Sequence, residues 1–382
     1  MNFSFSPYQE DIKNEVLDFA KKHLNEDIVT RDKNQFFDRS LWSKLGEIKL
    51  PGLCIPEEFG GRGLDPLTTV LALEAFGEGC EDGGLCFAVS AHMLACCVPI
   101  WLYGSNDQKQ AFLPKLCDGT WIAGNAMTEP HSGSDTYDVR TTAVACKDNY
   151  ILKGHKSYIS NGPVADVILT YALTDKEKGF FGGISAFLLS KEMPGLTLTD
   201  SVDKMGVRTC QMGEARFKDL ELSTNSVLGK AGAGAMIFNK SMEWERTCLG
   251  AIHLGAMSRV LENTIAFVKE RKSGDKSIGS YQAISHQLAD LKVGLEASRL
   301  MTYQAAWKLG SSKMSTMEAS ASKLFVSEFF KKFATSIFQI YAGKAFRENH
   351  EAERLLRDAM ASTIYSGTSE VQRSVIAKMM RV

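Results

Sequence analysis

Three textures of hydrophobic spacing follow one another along the chain of 382 residues. Up to about residue 122 the spacing is helical: Ser6-Pro7 is a start signal, and Ile12, Val16, Phe19 and Ala20 then recur at the interval of one helix face. A turn-rich stretch, GLCIPEEFGGRGLDP, breaks this pattern before LTTVLALEAFGEG restores it, and a further helix is predicted over SAHMLACCVPIWLYG. From Trp121 to about Gly229 short β-rich runs such as YILKGHKSYISN, DVILTYAL and EARFKDLEL alternate with Gly, Asp and Asn, which predicts a small sandwich or barrel. Beyond Gly232 and Gly234 the spacing is helical to the end. Leu249, Ile252, Ala256, Val260, Thr264 and Val268 form one stripe, and long striped helices with short loops predict an antiparallel bundle. The expected architecture is α+β: an N-terminal α-helical domain (1–122), a middle β domain (123–232) and a C-terminal four-helix bundle (233–382).

Composition narrows the picture mainly by exclusion. Hydrophobic residues make up 44% and charged ones 23%, as in ordinary globular chains, and a net charge of -1 points to no nucleic-acid partner. No apolar run of about 18 residues is apparent, so no membrane span is expected. The polar, acidic N-terminus predicts neither a signal nor a transit peptide. Nine cysteines without a CxxC pair read as reduced thiols, which suits a cytoplasmic location and predicts no metal site.

Eight short strings, in order, carry a resemblance. They are IPEEFGG (Ile55 to Gly61), MTEPHSGSD (Met127 to Asp135), YISNG (Tyr158 to Gly162), KMGVR, NSVLG, the pair QIYAG and LLRDA, and YSGTSEVQR. Taken alone, TEPHSGSD is any Gly- and Ser-rich turn; together the eight resemble the acyl-CoA dehydrogenase family from end to end. The resemblance implies that family's fold, FAD as cofactor, and a homotetramer. It also implies an acyl thioester substrate, on coenzyme A or a carrier protein, and an electron-transfer flavoprotein or oxygen as acceptor.

Carried over residue by residue, Met127 and Thr128 meet the flavin's pyrimidine edge, and Gly133 and Ser134 approach the pyrophosphate, with Ser134 also near substrate. Tyr158 stands where the family usually has tryptophan against the flavin ring, followed by Ile159 and by Ser160 near N5. Arg271, Ser273, Gln339 and Gly343 match the positions that reach a neighbouring subunit's flavin, and Thr368 and Gln372 match the final contacts. The chain departs from the family in reading Gly274-Asp275 where Phe-Gly is usual.

The reaction needs a carboxylate to take the α-proton, and many members place it in a YEGTS string. Here that string reads Tyr365-Ser366-Gly367-Thr368, and an unassisted serine is no base at neutral pH. A second branch, including isovaleryl, crotonobetainyl and carrier-protein-linked prolyl dehydrogenases, carries the glutamate on the first long C-terminal helix; Glu245 falls there. Helical spacing supports it independently. Glu245 aligns with Leu249, Ile252 and Ala256 on the apolar stripe, where desolvation raises a carboxyl's pKa, whereas Glu243 aligns with Thr247 and Gly250.

Arg246, Ser366, Gly367 and His92 complete the expected substrate contacts, although a histidine in an apolar helix is more often a satisfied core residue. His92, Met93 and Cys96 suggest a short or polar acyl group, an aminoacyl group such as prolyl among them. A short-chain or branched acyl-CoA dehydrogenase, a non-redox enzyme on the same scaffold and a flavin-binding scaffold without turnover are the other readings; a working Glu245 separates the last two from the first.

Overall fold

The computed structural model describes residues 4–311 and 315–382. The N-terminal region is helical, and its starts are set by side-chain caps. Ser6 and Gln9 form a reciprocal capping box at the head of Pro7–His23, and Asp65 accepts from the Leu67 and Thr68 amides at the head of Pro66–Gly79. Ile12, Val16 and Ala20 are buried as their spacing predicts, while Phe19 stays half-buried.

One expectation is corrected here. The helix predicted to begin near Ser90 begins at Gly83 and runs to Tyr103, apolar and long enough to meet the length and composition of a membrane span. It lies mostly inside the protein, 83% buried over its most apolar window, and packs at the centre of the main core. A π-helical turn at Met93–Cys97 interrupts it, which lets Pro99 sit in the first turn of the segment that follows.

The middle region is one connected mixed sheet of eight strands. One half holds Leu196–Leu198, Met212–Ser223, Asn149–Ser160 and Thr142–Cys146; the other holds Val167–Leu173, Ile184–Ser190 and Val227–Leu228, with Ala123–Ala126 parallel to Val167–Leu173. A single residue pair, Thr142 with Leu173, joins the halves. Residues of both, including Ile159, Ile168, Phe187 and Leu220, share one core, so the sheet folds back on itself in the manner of a sandwich.

After Gly234 the chain is helical. Gly234–Cys248 and Ala251–Glu270 meet at Leu249-Gly250, and Gln282–Gly310 and Thr316–Tyr341 return alongside. A Cβ at Gly250 would lie 3.3 Å from Val326, so glycine lets Thr316–Tyr341 come close at this joint. Two shorter helices, Glu351–Ser362 and Ser369–Met380, finish the chain. Buried polar contacts stitch the three regions together. Asp82 accepts from both Arg31 and Thr209, and Asp32 pairs with Arg357.

Candidate active site

Glu245 sits one turn before the Leu249-Gly250 joint and is only 6% exposed. Burial pushes its carboxyl above the ordinary range, against the pull of the Ser366 hydrogen bond and of the Arg246 and Lys323 charges. The hydrogen bond comes from Ser366 Oγ to Glu245 Oε1, so the two positions that could carry the family's glutamate converge on one spot. Ser366 and Gly367 both lie in the left-handed region, at φ 57° and 90°. A Cβ on Gly367 would come within 2.7 Å of Gln372 Nε2, so the turn that delivers Ser366 needs glycine there. Arg246 Nε donates to the Ser366 carbonyl at 3.0 Å and fixes the turn from the other side.

Beside this pair lies a group the sequence reading missed. His253 Nε2 is 2.5 Å from the Tyr365 hydroxyl, and its ring stacks on Phe330 at 4.4 Å. Burial pulls His253 down to about 3, so it is neutral and acts as a hydrogen-bonding partner, not a charge. Lys323 lines the same narrow cleft as Glu245, His253, Tyr365 and Ser366. Its position in ASASKLFVSEFF was a signal, since Ala319 and Val326, four before and three after, are buried.

Glu243 differs from its expected placement. It is also buried, at 8% exposed, but it is fully engaged. Its carboxylate accepts from the Ser315 amide at 2.8 Å, the Ser315 hydroxyl at 2.7 Å and Lys240 at 2.5 Å. Although burial alone pushes it up, these partners hold it below the ordinary carboxylate range. Helix periodicity could not show this, because Ser315 arrives from 72 residues away. Replacing Glu243 with alanine is expected to cost about 1–3 kcal/mol by orphaning the Ser315 donors, while leaving the rate of flavin reduction within a few-fold. Denaturant midpoints and rapid mixing test this, and a loss of reduction as large as that from Glu245→Gln would contradict it.

The residues expected to meet a flavin fall into three places. Met127, Thr128, Gly133 and Ser134 lie on the strand end and loop after Ala126, next to Tyr158, Ile159 and Ser160; the Ser157 amide donates to the Thr128 carbonyl at 2.9 Å. Arg271 and Ser273 stand exposed at the end of Ala251–Glu270, beside Gln339 and Gly343, because the rings of Phe267 and Tyr341 stack at 4.5 Å. Gly274-Asp275 forms the two-residue turn of a tight hairpin, with Gly274 at φ 64°, so the departure from Phe-Gly is taken up locally. Thr368 caps the last helix by accepting from the Val371 amide.

One expectation, that for His92, needs correcting, and two others are narrowed. His92 is wholly buried: its Nδ1 accepts from the Ala123 amide at 2.9 Å and its Nε2 donates to the Leu116 carbonyl at 3.1 Å. Burial takes its pKa down to about 4, and no ring nitrogen is left for a substrate. Gln372 is also wholly buried: its side-chain NH2 donates to the Ser366 and Gly367 carbonyls and braces the turn, while its oxygen has no partner among the described residues. The Ile159 side chain belongs to the sheet core and leaves only its backbone for other contacts.

The local chemistry fits a flavin. A Cβ added at Gly133 would meet only the Thr128 methyl, at 3.9 Å, so the loop offers an open face beside two hydroxyl side chains. Tyr158 holds a 67% exposed ring outward from a positive φ of 56°, a conformation unusual for an aromatic residue. The neighbouring Ser157 hydroxyl is buried with no partner among the described residues. Such groups cluster at binding sites, where a ligand supplies what the chain lacks.

A buried ion pair, also missed from the sequence, supports this loop. Lys156 is wholly buried and donates to the Met127 carbonyl at 2.9 Å and to Glu129 Oε1 at 2.8 Å. Glu129 in turn accepts from the Arg140 and Thr141 amides. Strand alternation puts Lys156 on the same face as Leu152, but a register shift beyond Lys156 hides the pattern.

Comparison with known proteins agrees along the whole chain. Family models for the acyl-CoA dehydrogenase N-terminal, middle and C-terminal domains match residues 6–120, 124–220 and 232–381. An L-prolyl-[peptidyl-carrier protein] dehydrogenase from Pseudomonas fluorescens is 39% identical over 352 residues, covering 92% of each chain. Among solved structures, the prolyl acyl carrier protein oxidase AnaB superposes with a TM-score of 0.97 at 40% identity, covering 99% of this chain and 100% of that one. A structure described as PigA with FAD and proline superposes with the same TM-score at 36% identity, covering 100% and 99%. With all three domains matched in order, the chain belongs to the acyl-CoA dehydrogenase family.

Proposed function

We propose that this chain is an FAD-dependent enzyme that oxidises a prolyl group carried as a thioester on a carrier protein, with Glu245 as the base. The observation that carries the reading is a single buried carboxyl with a raised pKa, joined to Ser366 at the position where other family members carry their glutamate. The thioester carbonyl acidifies the α-carbon, and Glu245 takes that proton. Ser366 orients the Glu245 oxygen it touches, while Arg246, Gln372 and the Tyr365–His253 bond hold the turn. Thr128, Gly133, Ser134, Tyr158 and Ser160 would hold FAD, which when bound supplies the acceptor for the β-hydrogen as hydride. An electron-transfer flavoprotein or oxygen then takes the electrons. The relatives' stated prolyl substrates support the choice of acyl group.

The exposure of Arg271, Ser273, Gln339 and Gly343 supports their serving a second copy in a homotetramer. A heptad-spaced apolar stripe on Gln282–Gly310 supports assembly: Val293, Leu300 and Trp307 are 69%, 52% and 64% exposed. Nine free cysteines, eight of them buried, suit a reducing cytoplasm.

Rapid mixing tests the substrate. Prolyl carrier protein should bleach the flavin at least about tenfold faster than butyryl-CoA or a long-chain acyl-CoA, the discrimination a shaped pocket commonly gives. Faster bleaching by the long-chain thioester would overturn the choice of acyl group and leave Glu245 as base untouched.

A further inference from the structure

Lys323 has no role in the account so far, yet it is an unusual side chain. It is 6% exposed, and its ammonium nitrogen is buried with no hydrogen-bond partner among the described residues. A buried cation without a partner costs several kcal/mol, so an otherwise well-packed helix is not expected to retain one for packing. The charged and titratable groups around it leave few choices. Arg246, on the helix of Glu245, also draws on that carboxyl, with its Nε committed to the Ser366 carbonyl, so Lys323 adds the second cation. His253, from the next helix, is neutral and bonded to Tyr365. Glu328 and Glu370 also act on Lys323, but each lies near Arg373, at 3.7 and 3.5 Å. On the far side of Glu245, Cys96 and Tyr171 are buried and have their pKa values raised, so both are neutral. Glu245 is the remaining carboxyl in the cleft, and its hydrogen bond comes from a neutral hydroxyl.

We propose that Lys323 is a positioning residue that supplies the counter-charge for ionised Glu245 and keeps it ready to take the α-proton when a seated substrate shuts out water. The proposal rests on Glu245 being the base. With Lys323 in place, the carboxylate has a cation facing it across the cleft, and Ser366 aims the oxygen. Once the proton arrives, the acid is neutral, and the ammonium favours giving that proton up again. Burial pulls Lys323 down to about 8, so it still carries its charge at neutral pH.

The sign follows directly. Removing the positive charge disfavours the carboxylate, so the Glu245 midpoint rises and the base is lost from the acid side first. Lys323→Met should raise that midpoint by about one pH unit or more. It is read from the infrared carboxyl band that Glu245→Gln abolishes, in the flavin-loaded protein without substrate. Flavin reduction should fall roughly tenfold at low pH and rejoin the parent enzyme at high pH. Lys323→Arg should keep the parent midpoint. If Lys323→Met misfolds, Lys323→Gln serves for the same titration. An unmoved midpoint in the uncharged variants would overturn the proposal, and greater thermal stability with an unchanged pH profile would mark the lysine as misfit packing. If Glu245→Gln still reduces the flavin normally, the base assignment itself has failed, which is a separate outcome.

Discussion

Replacing Glu245 with glutamine should slow flavin reduction by about a hundred to ten thousand fold, the usual worth of a positioned general base. Glutamine keeps the shape and can still accept the Ser366 hydrogen bond, so the loss reports proton transfer and not collapse of the cleft. Flavin content and assembly should not change, since no cofactor or subunit contact is assigned to Glu245. Ser366→Ala should cost far less, because it removes an orienting hydroxyl and leaves the carboxylate in place. The convergence of Ser366 on Glu245 allows a stricter check. Adding Ser366→Glu to the Glu245→Gln protein returns a carboxylate to the same spot, and part of the lost rate should return. Recovery should be incomplete, because residue 366 lies in the left-handed region, which a longer side chain tolerates poorly. Rapid mixing isolates this step from reoxidation. Normal reduction in the single variant would remove Glu245 from the mechanism, and Glu243, tied to Ser315 and Lys240, would be a poor replacement.

What could be read from the sequence follows the range of the interactions involved. Glu245 was legible because its burial is a property of its own helix stripe, and because the YSGTS string lacks the acid that many relatives carry. The order of helical, β and helical regions was legible for the same reason, since each period is local. Glu243 was misplaced because the donors that draw it inward come from the far end of the next hairpin. His92 and Gln372 have the residue types of contact groups, but backbone partners at 116 and 123 take both ring nitrogens of His92, and those at 366 and 367 take the Gln372 side-chain NH2. The first turns of the Gly83–Tyr103 helix were not legible because Gly83-Gly84 looks like a break, so the predicted helix starts near Ser90. In the fold, a π-turn interrupts the helix further along and the surrounding core covers the apolar surface.

The same limit concealed the Lys156–Glu129 pair, whose loss should be the largest effect on the protein as an object. Both side chains are buried, and each answers the other's charge. Burial pulls Lys156 down to about 8, while Glu129, pushed up by burial, is held below the ordinary carboxylate range by Lys156 and by the Thr141 and Arg140 amides. Removing one partner strands a buried charge, and such changes typically cost about 3–5 kcal/mol. Lys156→Met should therefore destabilise strongly. It also frees the Met127 carbonyl, so the Thr128 to Ser134 loop should loosen and FAD content fall at fixed added FAD. Glu129→Gln keeps an acceptor for only one of the two amides, sets an NH2 against the other and leaves the ammonium uncompensated, and should also destabilise. Combining the two removes both charges, so the double variant should be markedly more stable than the sum of the single losses predicts. The pH dependence has a defined sign. Glu129 has a lowered folded pKa, so its contribution is present above the unfolded carboxyl value of about 4.5 and is lost as pH falls through the folded value. Denaturant midpoints at pH 7 and at falling pH, with flavin absorbance measured on the same samples, give both readouts. Additive losses in the double variant would show that Lys156 and Glu129 act separately, and FAD retained in full by Lys156→Met would show that the loop does not depend on this clamp.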